Sequence, residues 1–294
     1  MSPSRFQVWI LASRPKTLAA AIAPVIIGCA MAYADNAFHW LAALAALFGS
    51  VMIQIGTNFA NDYFDFKKGT DTHERIGPVR VTQAGLVKPV TMKRAIAIAF
   101  GLAFLAGIYL VWRGGLPVIG IGLLSILFGI LYTAGPLPLG YNGLGDIFVF
   151  LFFGLVAVGG TYYVQALTIT PEAIIAGAAP GFWSVGILTV NNLRDIDNDR
   201  KGGKKTLAAR FGRTFARSEY VMCVLGACLV PVVLTVISEN RGAVLTASAT
   251  LLFAIPTMKK VVTETDGPTL NNALAATGKL LLLYAVLFTI GWII

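Results

Sequence analysis

Apolar side chains recur along this chain in runs long enough to cross a hydrocarbon layer. A layer of about 30 Å needs roughly 20 helical residues. Runs near that length fall at 17–34, 41–61, 94–112, 116–134, 144–166, 173–193, 215–237, 243–258 and 271–294, the eighth being the shortest. Pro15 precedes the first run, Arg113-Gly114-Gly115 marks a tight turn, and 135–143 is a turn rich in Gly and Pro. Thr170 is placed to cap the sixth run, with Pro171 in its first turn. The pattern predicts an all-α polytopic membrane protein. Nine transmembrane helices would surround a central chamber in a single domain covering 1–294.

Composition agrees and narrows the class. Hydrophobic residues make up 56% and charged residues 13%, where about 25% charged is usual for a soluble domain. A soluble enzyme, a secreted disulfide scaffold and a disordered chain are excluded. The formal charge of +9 would elsewhere suggest nucleic acid. Here the Lys and Arg fall in loops between apolar runs, which points to membrane orientation and anionic head groups. With the N-terminus in the cytoplasm, 20 Lys and Arg lie on the cytoplasmic side and 2, Arg113 and Arg241, on the other. Nine helices would then leave the C-terminus outside. The first apolar run is long enough to span, so it does not read as a cleaved leader. Cys29, Cys223 and Cys228 sit in apolar runs without metal-site spacing, and His39 and His73 read as loop residues.

The loops at 62–93 and 194–214 are long and charged, and each follows an acidic motif. Asn58, Asn61, Asp62 and Asp65 are spaced 0, 3, 4 and 7 at the end of the second run, one face of an α-helix. At the end of the sixth run Asn191, Asp195 and Asp199 again share a face, with Asn192 at its edge. Asp197 points elsewhere. Solvated helix ends would explain a stray charge, but not the same polar face at membrane depth twice, where polar groups are costly and mark function. Asn58 to Asn191 and Asp62 to Asp195 are both 133 residues apart. That spacing suggests a parallel internal duplication relating 41–134 to 173–258.

Four facing carboxylates at one mouth suit a hard divalent cation, magnesium or manganese, over zinc. Magnesium commonly binds one or two carboxylates plus substrate phosphates. The adjoining loops are crowded with Lys and Arg, which suit phosphate. Carboxylates, metal and basic loops beside an apolar helical chamber imply a lipid-borne diphosphate.

These residues resemble the intramembrane aromatic prenyltransferase superfamily, over essentially the full length. Asn61-Asp62-Tyr63-Phe64-Asp65 with Gly69 and Asp71 is similar to its first motif, and Asn191-Asn192-Leu193-Arg194-Asp195-Ile196-Asp197-Asn198-Asp199 to its second. The stretch from Lys201 to Gly212 is similar to its basic loop, and Ala12-Ser13-Arg14-Pro15-Lys16-Thr17-Leu18 to the bacterial branch that prenylates 1,4-dihydroxy-2-naphthoate for menaquinone synthesis. The first motif departs from many members in having Gly69 where a third Asp stands, which leaves the role of Asp71 open.

The resemblance implies transfer of a polyprenyl group from its diphosphate to dihydroxynaphthoate, with loss of carbon dioxide, in the bacterial inner membrane. Two magnesium ions would be held by Asp62, Asp65, Asp195 and Asp199. Asn58, Asn61, Asn191 and Asn192 would ligate or orient ligands. Lys16, Arg75, Arg80, Lys201, Lys204 and Lys205 are candidate diphosphate clamps, and Arg14 or Lys16 a partner for the acceptor carboxylate. Tyr63, Phe64, Tyr132, Tyr141 and Phe148 are candidate aromatic walls. Asp146 is a buried charge partner or a cap, and Lys279 has no evident partner. The nearest rival is 4-hydroxybenzoate polyprenylation, which needs the same donor and a different acceptor pocket. A transporter is a rival of another class, but its ionisable residues usually lie near the midplane.

Overall fold

The computed structural model describes residues 3–69, 77, 79–238 and 241–294. Every element among them is helical. The chain opens with a short helix, α1 (Arg5–Ser13), held by a reciprocal cap between Ser4 and Gln7. Arg14 then takes a left-handed conformation (φ 52°, ψ 68°) and breaks the axis, and α2 (Pro15–Ala34) starts with proline in its first turn. A non-glycine residue there is held against a cost of roughly 1–2 kcal/mol.

Two helices run past their apolar segments and carry the acidic motifs with them. The second predicted run becomes α3 (Trp40–Lys68), which Gly69 terminates at φ +68°. The helices α4 (Pro89–Gly114) and α5 (Leu116–Leu131) follow. Beyond the Gly/Pro turn, α6 (Gly145–Phe150) passes through a π-helical segment (Leu151–Val156) into α7 (Ala157–Ala166). The sixth run becomes α8 (Pro171–Lys201), capped by Thr170 as predicted and ended by Gly202 and a left-handed Gly203. Then come α9 (Leu207–Ile237), broken at Gly212 (φ +87°), a 3-10 segment (Gly242–Ala249) running into α10 (Thr250–Thr263), and α11 (Gly267–Ile293).

Eight helical stretches of the described residues are long and apolar enough to cross a membrane, so this is a multi-pass membrane protein. The predicted run 116–134 forms only α5, with 16 residues, about 24 Å at 1.5 Å per residue. The chain leaves the helix three residues early to enter the Gly/Pro turn.

Packing is uneven, and that unevenness makes the chamber. Helix α8 is central: Trp183, Val190, Leu193 and Ile196 are buried in the core that α8 forms with α2, α9 and α11. Helices α3 and α4 bury much less of themselves. Between the dense half and the α3–α4–α5 half lies a cavity of about 600 Å³. The π segment borders it. Gly154 sits against Gly177 and Gly181 so closely that a Cβ there would come 2.6 Å from the Gly177 carbonyl oxygen. The wider π turn carries Phe152, Phe153 and Val156 onto the chamber wall beside Phe148.

Candidate active site

The two acidic motifs end α3 and α8 at the same end of the chamber, here called the mouth. Asn58, Asn61 and Asp65 from α3, and Asn191, Asn192, Asp195 and Asp199 from α8, all line it. Three cationic side chains join them: Arg14, Arg80 and Lys204. Away from the mouth the wall is apolar, built from α3, α4, α5 and the α6–α7 stretch.

Asp65 is the hub on α3. It is 1% exposed. Arg80 Nη2 donates to its Oδ2 at 2.6 Å, the Tyr141 hydroxyl donates to Oδ1 at 2.6 Å, and Lys204 Nζ stands 3.5 Å from Oδ1. Lys68 and Lys204 lie over the Tyr141 ring at 4.5 and 4.7 Å, and Lys68 also donates to the Thr133 carbonyl. On α8, Arg194 grips Asp195 with two bonds of 2.8 and 2.6 Å and also donates to Asn191 and Asn271. Asn61 accepts from the Thr133 hydroxyl, and Asn58 donates to the Ser13 carbonyl and the Thr17 hydroxyl. Tyr132 lines the chamber, and burial, with Asp146, Asp199 and Asp65 nearby, raises its phenol above the ordinary value. It stays protonated and keeps a proton to donate.

The helical-face reading of α8 matches the geometry. Asp195 and Asp199 face the chamber, while Asp197 is 69% exposed on the far side and pairs with Arg213 at 2.7 Å. The reading of α3 needs one correction. Asp62, expected among the metal ligands, is not on the chamber wall. It is buried, and its two oxygens accept the backbone N–H groups of Val81 and Thr82 at 3.0 Å each. It anchors the turn after residue 79, which places Arg80 over Asp65.

The basic and aromatic candidates also divide. Lys16, Lys201 and Lys205 are exposed and off the chamber wall. Of the basic clamp candidates, Arg80 and Lys204 are the ones on the chamber wall, reached through the turn and past the Gly203 bend. Tyr63 and Phe64 pack edge to face, and Tyr63 lies against the Phe59, Val81 and Met92 cluster, outside the chamber. Arg75 and Asp71 lie outside the described residues. Arg194 and Asn271 were not singled out from sequence. An Arg between an Asn and an Asp of one helical face was the available signal for Arg194, while Asn271 comes from a helix without a motif.

Among the described residues no three His, Cys, Asp or Glu side chains converge closely enough to hold a cation by themselves. Asp65, Asp195 and Asp199 nevertheless offer oxygen donors to one space. That fits magnesium, which takes few carboxylates and completes its shell with water and phosphate oxygens.

The profile of the UbiA prenyltransferase family matches residues 21–276. The chain belongs to this family. Relatives described as 1,4-dihydroxy-2-naphthoate octaprenyltransferase include one from Escherichia coli (strain K12), 39% identical over 98% of this chain and 96% of its own length. Another, from Mycobacterium tuberculosis (strain ATCC 25618 / H37Rv), is 41% identical over 73% of each chain. The fold matches that of a UbiA homolog from Archaeoglobus fulgidus bound to GPP and Mg2+, with a TM-score of 0.70 and 14% identity over 97% of this chain and 99% of that one.

Proposed function

We propose that this chain transfers a polyprenyl group from polyprenyl diphosphate to 1,4-dihydroxy-2-naphthoate. The ring carboxylate leaves as carbon dioxide, and the product is the reduced form of demethylmenaquinone. The observation that carries the reading is the mouth itself: three carboxylates and three cations at the polar end of an apolar chamber. The near full-length relatives described as naphthoate octaprenyltransferases support the choice of acceptor over 4-hydroxybenzoate.

The candidate metal ligands are Asp65, Asp195 and Asp199, with Asn61 and Asn191 beside them and Asn58 and Asn192 holding the wall. Two magnesium ions, replaceable by manganese, are the proposed complement. Magnesium, when bound, neutralises charge developing on the departing diphosphate. Arg80 and Lys204, which hold Asp65 by 2.6 and 3.5 Å contacts, would share themselves with the diphosphate oxygens and orient them. Arg14, turned into the chamber by its left-handed backbone, is the partner for the acceptor carboxylate. Tyr132 holds its proton toward the acceptor hydroxyls. The rings of Tyr132 and Phe148 flank the space where an allylic cation forms. Apolar walls exclude water, which would otherwise trap that cation.

The lysine and arginine count supports an orientation with the mouth and the N-terminus in the cytoplasm of a bacterial inner membrane, with α5 as a ninth, short span. The shared placement of the motifs on α3 and α8 supports the duplication of 41–134 and 173–258. Purified protein supplied with dihydroxynaphthoate, octaprenyl diphosphate and magnesium should yield the prenylated naphthoquinol by mass spectrometry. Exclusive use of 4-hydroxybenzoate instead would reject the acceptor assignment.

A further inference from the structure

Away from the mouth, two polar side chains interrupt the apolar wall. Gln54 on α3 and Ser184 on α8 line the chamber among neighbours such as Ile53, Ile187 and Leu188. They are 7% and 3% exposed, and Gln54 Oε1 and Ser184 Oγ have no hydrogen-bond partner among the described residues. Other hydroxyls on the wall are already spent: Ser50 donates to the Ala21 carbonyl and Ser125 to that of Ile121. A buried polar atom left unpaired is costly, and a prenyl tail has no polar atom to offer.

Both stand at one depth. Gln54 lies eleven residues before Asp65, and Ser184 eleven before Asp195. Eleven residues make just over three turns, about 16 Å along the axis, and return to within about 20° of the same face. Since α3 and α8 both end at the mouth, these two side chains point where the two carboxylates point, three turns deeper. The amide of Gln54 is also fixed in direction. Thr17 gives its one hydroxyl hydrogen to the Arg14 carbonyl and accepts from Gln54 Nε2 and Asn58 Nδ2 at 3.2 Å each. Only the NH₂ end of Gln54 can meet that hydroxyl, so Oε1 is the free end and acts as an acceptor alone. The same three bonds hold the elbow that carries Arg14.

We infer that Gln54 and Ser184 form a hydroxyl-reading subsite for the aromatic acceptor: Gln54 Oε1 accepts from the ring hydroxyl remote from the carboxylate, and Ser184 Oγ donates to it. The inference rests on the naphthoate prenylation proposed above. A hydroxyl is at once a donor and an acceptor, which is what this pair complements. In dihydroxynaphthoate the hydroxyl beside the carboxylate shares its hydrogen with that carboxylate, and the other is free to bond. The diphosphate lies at Asp65 and Asp195, and the acceptor carboxylate on Arg14, whose elbow Gln54 holds. A ring in near-attack contact of about 3.5 Å with the allylic carbon then turns its remote hydroxyl toward this deeper level.

The test uses the whole protein in lipid nanodiscs with magnesium and a farnesyl thiolodiphosphate, a donor that does not ionise, and reads dissociation constants by titration calorimetry. The ligands are 1,4-dihydroxy-2-naphthoate, kept reduced, and 1-hydroxy-2-naphthoate, which lacks only the remote hydroxyl. The unaltered protein should hold the dihydroxy acid at least about tenfold tighter. Gln54→Leu should bring the two ligands within about threefold of each other, and Ser184→Ala should narrow the gap at least about threefold. Ser50→Ala removes a wall hydroxyl that is already spent, and its ratio should match that of the unaltered protein. Both ligands carry the carboxylate, so a disturbed Arg14 elbow weakens both alike and leaves the ratio in place. Equal affinities in the unaltered protein, an unchanged ratio in Gln54→Leu or Ser184→Ala, or an equal fall in Ser50→Ala overturns the inference. Failure of the unaltered protein to bind either acid would instead reject the function on which it rests.

Discussion

Replacing Asp62 and Asp65 in turn separates two carboxylates that lie one helical turn apart and do different work. In Asp62→Asn one oxygen becomes an NH₂ group facing a backbone N–H. Of the two 3.0 Å bonds to Val81 and Thr82, one is lost and the other loses its charge. Bonds to a charged acceptor contribute about 1.5–3 kcal/mol, and a buried donor left unpaired costs about as much. A loss of about 2 kcal/mol is roughly a 30-fold shift in the equilibrium that holds the turn closed. The turn delivers Arg80, so the maximal rate should fall by up to that factor while the magnesium midpoint stays put. In Asp65→Asn a proposed ligand is removed, and even residues behind the ligands typically change metal affinity 10–100-fold. Its magnesium midpoint should rise at least about tenfold. The assay is the initial rate of prenylation over a magnesium titration, at matched amounts of folded protein. A midpoint in Asp62→Asn that moves as far as in Asp65→Asn would refute the separation and return Asp62 to the metal site.

Three further outcomes follow from the same geometry. Asp197→Asn should keep most activity and Asp199→Asn should lose at least about 100-fold, the scale of several kcal/mol of leaving-group stabilisation; equal loss at equal expression would contradict the face assignment on α8. Tyr141→Phe keeps the ring beneath Lys68 and Lys204 but removes the 2.6 Å bond to Asp65, and a charged-acceptor bond of about 1.5 kcal/mol predicts roughly a tenfold fall in kcat/KM. Single-cysteine variants at positions 69 and 203 should label only from the cytoplasmic side, and labelling from the periplasm alone would invert the proposed topology.

Much of this arrangement was readable from residue spacing, because a helix converts spacing into direction. Asp195, Asp197 and Asp199 sorted correctly for that reason: two residues turn the chain about 200° and four bring it back. The same rule misled at Asp62. On α3 the four motif positions span an arc of about 100°, with Asn61 and Asp62 at its opposite edges. Which edge meets the chamber depends on what packs outside it. The turn carrying Val81 and Thr82 comes from a loop whose position no periodicity encodes. The basic loops were unreadable residue by residue for a related reason. Lys201, Lys204 and Lys205 are alike in sequence, and the left-handed Gly203 decides that only Lys204 turns inward. The shortness of α5 was hidden by apolar residues that continue into the Gly/Pro turn.

The central claim is that the mouth carries out decarboxylative prenyl transfer to a naphthoate. The most direct measurement follows dihydroxynaphthoate labelled in its carboxylate carbon, with octaprenyl diphosphate, before and after removal of divalent ions by chelation and then restoration of magnesium. The account predicts one labelled carbon dioxide released for each prenylated naphthoquinol formed, no turnover under chelation, and full recovery with magnesium. A product that keeps the labelled carboxylate, or turnover that survives chelation, would contradict it.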